Sequence, residues 1–221
     1  MHGGFGTIED INNLIPYLFT PIGIDSRGHG TSTMGTSPLT YECIQKDAEL
    51  VLEHLNISTL SIIGFSDGGV VAYRLASFAA LHIEKLLTIG SRWRYKNALA
   101  TKHFTKRYSR ELEKKFPATF NLYQQLNPEP DFNKLAQSLV NTWLDTGSSG
   151  YANNHIEKSA SQILIIRGDK DPLCSLADVT ELAAIVKGSG ILNIPFAGHA
   201  AFINESEIVT ICLKRFFNHV N

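Results

Sequence analysis

Leu60-Ser61-Ile62-Ile63-Gly64-Phe65-Ser66-Asp67-Gly68-Gly69 is the stretch that decides the fold. Its first four residues are a short apolar run. Directly after it, Val70, Val71, Leu75, Ala76 and Phe78 recur at helical spacing. The layout is strand, tight turn, helix, with a serine at the apex of a G-x-S-x-G pattern. So tight a turn strains the serine backbone and crowds the residues two before and two after it, where only hydrogen-sized side chains fit. The serine Oγ then stands exposed at the carboxyl end of a strand. The N-terminus of the next helix points at it, and its partial positive charge favours an oxyanion.

Working outward, residues 41–55 read as an amphipathic helix, with Tyr41, Ile44, Ala48, Val51, Leu52 and Leu55 on one stripe. Residues 20–24 are apolar and β-branched and read as a strand, ending in the polar turn Asp25-Ser26-Arg27-Gly28-His29-Gly30. Before them, Ile8, Ile11, Leu14, Ile15 and Leu18 have helical spacing. The chain opens on the glycine-rich Met1-His2-Gly3-Gly4-Phe5-Gly6. On the other side of the elbow, 85–90 is a short strand. Residues 91–161 then lack any strand pattern and carry two helical segments, 109–126, which Pro117 kinks or divides, and 132–144. Alternation resumes with a strand at 163–166, a helix at 176–186, a strand at 191–194 and a helix at 204–219. Short apolar strands alternating with helices predict an α/β fold, a mostly parallel sheet covered on both faces. The segment 91–161 reads as a helical insertion within one domain spanning 1–221.

In such sheets chemistry sits at the carboxyl ends of the strands. Three loops there supply Ser66, Asp171 and His199. A serine hydroxyl needs a base during attack, a role for His199, and the base needs an anionic partner to fix its tautomer, a role for Asp171. Asp169 stands in the same loop and competes for it. The glycine-rich loop at 1–6 offers backbone N–H groups to an oxyanion, and the Asp67 N–H offers another.

Length and composition bound the remaining possibilities. The 221 residues suit one domain with a sizeable core. A net charge of −1 gives no electrostatic case for nucleic acid or an anionic membrane. Cys43, Cys174 and Cys212 are scattered and odd in number, which argues against a disulfide framework and a cysteine metal site. No apolar run approaches a membrane span, and no signal peptide is visible at the start. A soluble, cytoplasmic monomer or small homo-oligomer is expected, with no metal, no cofactor, no nucleic-acid partner and no membrane contact.

The chain resembles the α/β-hydrolase fold family, of the esterase type with a helical cap. The matching pieces are HGGFG at 2–6, DSRGHGTS at 25–32, GFSDGG at 64–69, RGDKDPL at 167–173 and AGHAAFINE at 197–205, in the family's order. GFSDGG and DSRGHG are similar to the valacyclovir-hydrolase-like branch. The resemblance implies Ser66 as nucleophile, Asp171 as acid, His199 as base, an oxyanion hole from the N–H groups of Asp67, Gly4 and Phe5, and a cap over 91–161. The family's G-x-x-D spacing from Gly168 favours Asp171 over Asp169. The implied activity is hydrolysis of a small or medium ester, thioester or lactone. A carbon–carbon bond hydrolase with the same triad and an inactive binding protein are the alternatives. At one place the chain departs from the family. There the glycine loop follows a central strand and hairpin, and here the chain opens at the loop, so the first strands of the fold are expected to be missing. A start further upstream, direct pairing of the flanking strands, and a degraded relative would each explain it.

Other residues have plainer readings. Asp25, Arg27 and His29 suit a structural turn network, and His2 suits ordering of its loop. Asp67 suits a helix start, or alternatively a pocket wall favouring a cationic substrate. The basic run 92–115 suits a solvated cap surface, or alternatively attraction of an anionic substrate. Trp93, Phe104, Tyr123 and Trp143 suit the cap core, with substrate-binding residues otherwise unassigned.

Overall fold

The structure is a computed structural model and describes residues 1–14, 20–95, 111 and 113–218. Among the described residues, four parallel strands form one sheet in the order β1 (Thr59–Phe65), β2 (His82–Ile89), β3 (Gln162–Gly168), β4 (Gly190–Ile194). The apolar runs are explained by burial on both faces. Ile62, Leu86 and Ile165 enter one core cluster, while Leu87, Ile89 and Ile166 enter the other. Adjacent side chains on a strand point to opposite faces, so such a run suits a doubly covered sheet.

Helices α1 (Tyr41–His54), α2 (Asp67–Phe78) and, later in the chain, α5 (Leu176–Ile185) pack into the first cluster. Between β2 and β3 lie α3 (Pro117–Leu126) and α4 (Phe132–Trp143). Pro117 divides the expected segment: residues 111 and 113–115 are helical, Phe116 breaks the run, and Pro117 starts α3, as its missing N–H and fixed φ favour at a first helical position. The final helix is two pieces, α6 (Ala201–Asn204) and α7 (Ser206–Asn218), divided at Glu205. Val209, Leu213 and Phe217 of α7 cover the second face. Phe104 and most of the basic run, 96–110 with Leu112, lie outside the described residues, as do 15–19.

The helical spacing that begins at Ile8 is met by a 3-10 helix, Ile8–Leu14, with 15–19 outside the described residues. One expectation is corrected. Residues 20–24 are not a strand. Pro21 has no N–H to give a ladder, and a cavity of about 460 Å³ lies between this segment and the free edge of β1. Met1, Ile8, Ile11, Ile24, Ile62 and Phe217 are among its walls. The segments flanking the expected gap therefore do not pair directly. Among the described residues the β1 edge is met at its carboxyl end, where the Met1 nitrogen donates to the Ile63 carbonyl (2.7 Å) and the Phe65 N–H donates to the Met1 carbonyl (3.0 Å).

Candidate active site

Ser66 sits between β1 and α2 at φ 51° and ψ −117°. Few non-glycine residues hold positive φ, and the surrounding structure must enforce it. The enforcement is visible in the turn. A Cβ at Gly64 would lie 2.6 Å from Gly69 Cα and 2.7 Å from the Gly68 carbonyl oxygen. The Ser66 N–H donates to the Ile89 carbonyl of β2 (2.8 Å), which pins the apex to the sheet.

His199 follows β4 and Asp171 follows β3. Ser66 Oγ and His199 Nε2 are 3.0 Å apart, and His199 Nδ1 and Asp171 Oδ2 are 2.9 Å apart. A carboxylate oxygen only accepts, so Nδ1 carries the proton and Nε2 is left to accept from the serine hydroxyl. The other carboxylate oxygen, Asp171 Oδ1, accepts from the N–H groups of Leu173 (2.8 Å) and Cys174 (3.2 Å). Asp171 is buried, whereas Asp169 is exposed. Buried Arg167 ties the acid loop together by donating to the carbonyls of Cys174 (2.8 Å) and Asp169 (3.1 Å). The Phe65 ring lies 5.2 Å from the His199 ring and is backed by Phe202. Cys174, beside Asp171, has its thiol pushed up to about 12 by burial and stays protonated.

The glycine-rich loop passes over the serine. A Cβ at Gly3 would stand 3.1 Å from Ser66 Cβ, and one at Gly4 would stand 2.6 Å from Asp67 Oδ2. Phe5 is at φ 62°, with its ring against Phe132 (5.3 Å) and Trp143 (6.0 Å). Among the described residues no acceptor is found for the N–H groups of Gly4 and Phe5. The Asp67 N–H, at the first position of α2, has no partner inside its helix. His2 orders this loop. Its Nε2 accepts from the Ser26 N–H (2.9 Å), so its Nδ1 carries the proton given to the Gly3 carbonyl (2.7 Å).

Burial pushes the His2 imidazole down to about 3, and burial pushes His29, 5.1 Å away, in the same direction. The unfolded chain therefore takes up protons first as pH falls through about 6.5. Stability is complete above that pH and is lost progressively toward pH 3. For His2 alone the expected loss between pH 6.5 and 5 is about 2 kcal/mol. Urea midpoints at the two pH values will check this, with His2→Asn giving a shallower acid slope.

The Asp67 side chain neither caps its own helix nor stands free. It accepts from the Tyr41 hydroxyl (2.7 Å) and from the Trp143 indole N–H (2.8 Å). It thereby joins the turn to α1 and α4. Trp93 is buried and donates to the Asp178 carbonyl (3.0 Å), and Tyr123 is buried with its hydroxyl accepting from the Asp131 N–H (3.1 Å). Both belong to the core. Asp25 accepts from Ile8 and Thr31, and Arg27 pairs with Asp47, as a structural turn network requires. The role of Tyr41 was not legible from spacing, since it looks like an ordinary core aromatic. Among the described residues no group of three or more His, Cys, Asp or Glu is placed to hold a metal ion. None of the described helices is long and apolar enough to cross a membrane.

A serine on a strained strand-to-helix turn, backed by a histidine and a buried carboxylate at the ends of successive parallel strands, defines the α/β-hydrolase class of architecture. A family profile described as the alpha/beta hydrolase fold matches residues 1–154, and the chain belongs to that family. It is similar to the AB hydrolase superfamily protein YisY of Bacillus subtilis, 26% identical over 235 residues, covering 94% of this chain and 85% of YisY. It is also similar to the human serine hydrolase BPHL, 25% identical over 197 residues, covering 86% of this chain and 66% of BPHL. Among solved structures, an esterase from Exiguobacterium antarcticum superposes with a TM-score of 0.77 at 20% identity, over 99% of this chain and 90% of that one.

Proposed function

We propose that this protein is a serine hydrolase that cleaves a small or medium carboxylic ester, or a related thioester or lactone, through an acyl-enzyme on Ser66. The observation that carries the reading is the continuous hydrogen-bonded line from Ser66 Oγ through His199 to Asp171. The names of two relatives, an esterase and a serine hydrolase, support it.

In this mechanism Ser66 Oγ attacks the carbonyl carbon while His199 Nε2 takes its proton. Asp171 holds the Nδ1 proton and stabilises the imidazolium. The carbonyl oxygen becomes an oxyanion facing the Asp67 N–H and the loop bearing the N–H groups of Gly4 and Phe5, each good donor lowering the barrier by roughly 3 kcal/mol. His199 returns the proton to the leaving oxygen or sulfur, and the acyl group stays on Ser66. Water then attacks with His199 as base, releasing acid and regenerating the serine. The cycle calls for no metal or organic cofactor, and the insertion at 91–161 shapes the substrate side as a cap.

A fluorophosphonate probe tests the reading, because it reacts with an activated serine and not with an ordinary one. Stoichiometric labelling of the native protein is expected, with none on a Ser66→Ala variant. A native protein that resists the probe while fully folded would be an inactive binding protein. Labelling without cleavage of p-nitrophenyl esters from acetate to octanoate would instead favour carbon–carbon bond cleavage.

A further inference from the structure

The turn after β2 runs against the triad. A Cβ at Gly90 would meet His199 Nδ1 at 3.0 Å and Asp171 Oδ2 at 3.1 Å. Two residues on stands Arg92, partly buried. Its guanidinium lies 5.3 Å above the Tyr151 ring and donates from Nη2 to the Tyr151 hydroxyl (2.9 Å). That hydroxyl in turn donates to the Trp143 carbonyl (3.1 Å), and the Trp143 indole holds Asp67, the neighbour of the nucleophile. Arg92 is therefore tied, through Tyr151 and Trp143, to the residue next to the nucleophile.

The other arginines nearby are matched. Arg94 is paired with Glu181, Arg27 with Asp47, and Arg74 with Gln45 and the carbonyls of Ser148 and Gly150. Arg92 has one neutral phenol. Among the described residues no carboxylate lies within ion-pair distance of it, and none of its N–H groups is a buried orphan, so the rest open onto space. Asp67 is near enough to offset some of its charge but supplies it no acceptor. Both Asp67 oxygens already take donors, from Tyr41 and Trp143. What Arg92 lacks is a charged acceptor, and a carboxylate matches the fork of a planar cation.

We infer that Arg92 is the anion-recognising residue of the substrate cleft, so that the preferred substrates of the proposed hydrolase are esters carrying a free carboxylate, and not amine-bearing esters attracted by Asp67. The preference in turnover rests on the serine-hydrolase reading; binding of the carboxylate does not.

Two pairs of esters test the inference, one with a carboxylate on the acyl part (p-nitrophenyl monoglutarate) and one with it on the alcohol part (4-acetoxybenzoate), each against its carboxamide. In the wild type kcat/KM is expected to favour the carboxylate member of at least one pair by about tenfold or more. Arg92→Gln is expected to abolish that ratio and Arg92→Lys to keep part of it. Neutral preference in both wild-type pairs, or a ratio that survives Arg92→Gln, overturns the inference whatever the stability of the variants. Calorimetric binding of the same compounds to the Ser66→Ala protein separates the two readings. A protein that binds carboxylates through Arg92 but cleaves no ester refutes the chemistry at Ser66 alone. Cleavage without any carboxylate preference refutes the Arg92 site alone.

Discussion

Replacing His199 by alanine is expected to lower kcat/KM for ester cleavage by roughly 10⁴- to 10⁶-fold. Without Nε2 at 3.0 Å, the Ser66 hydroxyl has no acceptor for its proton as the bond to carbon forms. The leaving group loses its proton donor as well, so both halves of the cycle stall. Asp171→Asn is expected to cost roughly 10⁴-fold, because an amide in that place permits the wrong imidazole tautomer. Asp169→Asn, changing an exposed carboxylate two residues away, is the control and is expected to stay within about threefold. Rates on p-nitrophenyl butyrate will check all three. Equal losses at Asp169 and Asp171 would refute the proposed acid.

The second large effect is on stability. Gly64→Ala puts a methyl group 2.6 Å from Gly69 Cα and 2.7 Å from the Gly69 nitrogen, all backbone. No side chain can swing aside, so the elbow itself must move. Overpacking of this kind costs about 3 kcal/mol, which for a chain of this size lowers Tm by roughly 6–12 °C. Gly198→Ala, whose added Cβ meets nothing within 4 Å, is the control and is expected to leave Tm within about 2 °C. Thermal melts by circular dichroism will show both, and fluorophosphonate labelling of any folded Gly64→Ala protein will report whether the serine stays presented.

Where local pattern and tertiary demand agreed, the sequence was easy to read. The run 60–63 had to be a strand because its residues feed two cores, and Gly64, Gly68 and Gly69 are small because a Cβ would meet the turn itself at Gly64, the Met1 and His2 carbonyls at Gly68 and the Ser91 side chain at Gly69. Thr20–Ile24 looked equally strand-like, but a strand also needs a ladder partner at the right distance, and here a cavity intervenes. Propensity cannot see that. The acid was ambiguous for a similar reason. Asp169 and Asp171 occupy one loop, and only burial with two N–H donors tells them apart. Asp67 and Arg92 were the least legible residues. Their partners Tyr41, Trp143 and Tyr151 lie 26, 76 and 59 residues away, at separations that leave no periodic trace. In a basic run Arg92 and Arg94 look alike, yet one is neutralised by Glu181 and the other is not.

The hydrogen bond from the Phe65 N–H to the Met1 carbonyl has a consequence for timing. It fastens the glycine-rich loop to the residue immediately before the nucleophile, through the same kind of bond that holds neighbouring strands. Loop and elbow are therefore joined through ladder-type backbone bonds and not through side-chain contacts alone. In the proposed cycle the entropy of aligning the oxyanion donors is lost when the chain folds, not each time a substrate arrives.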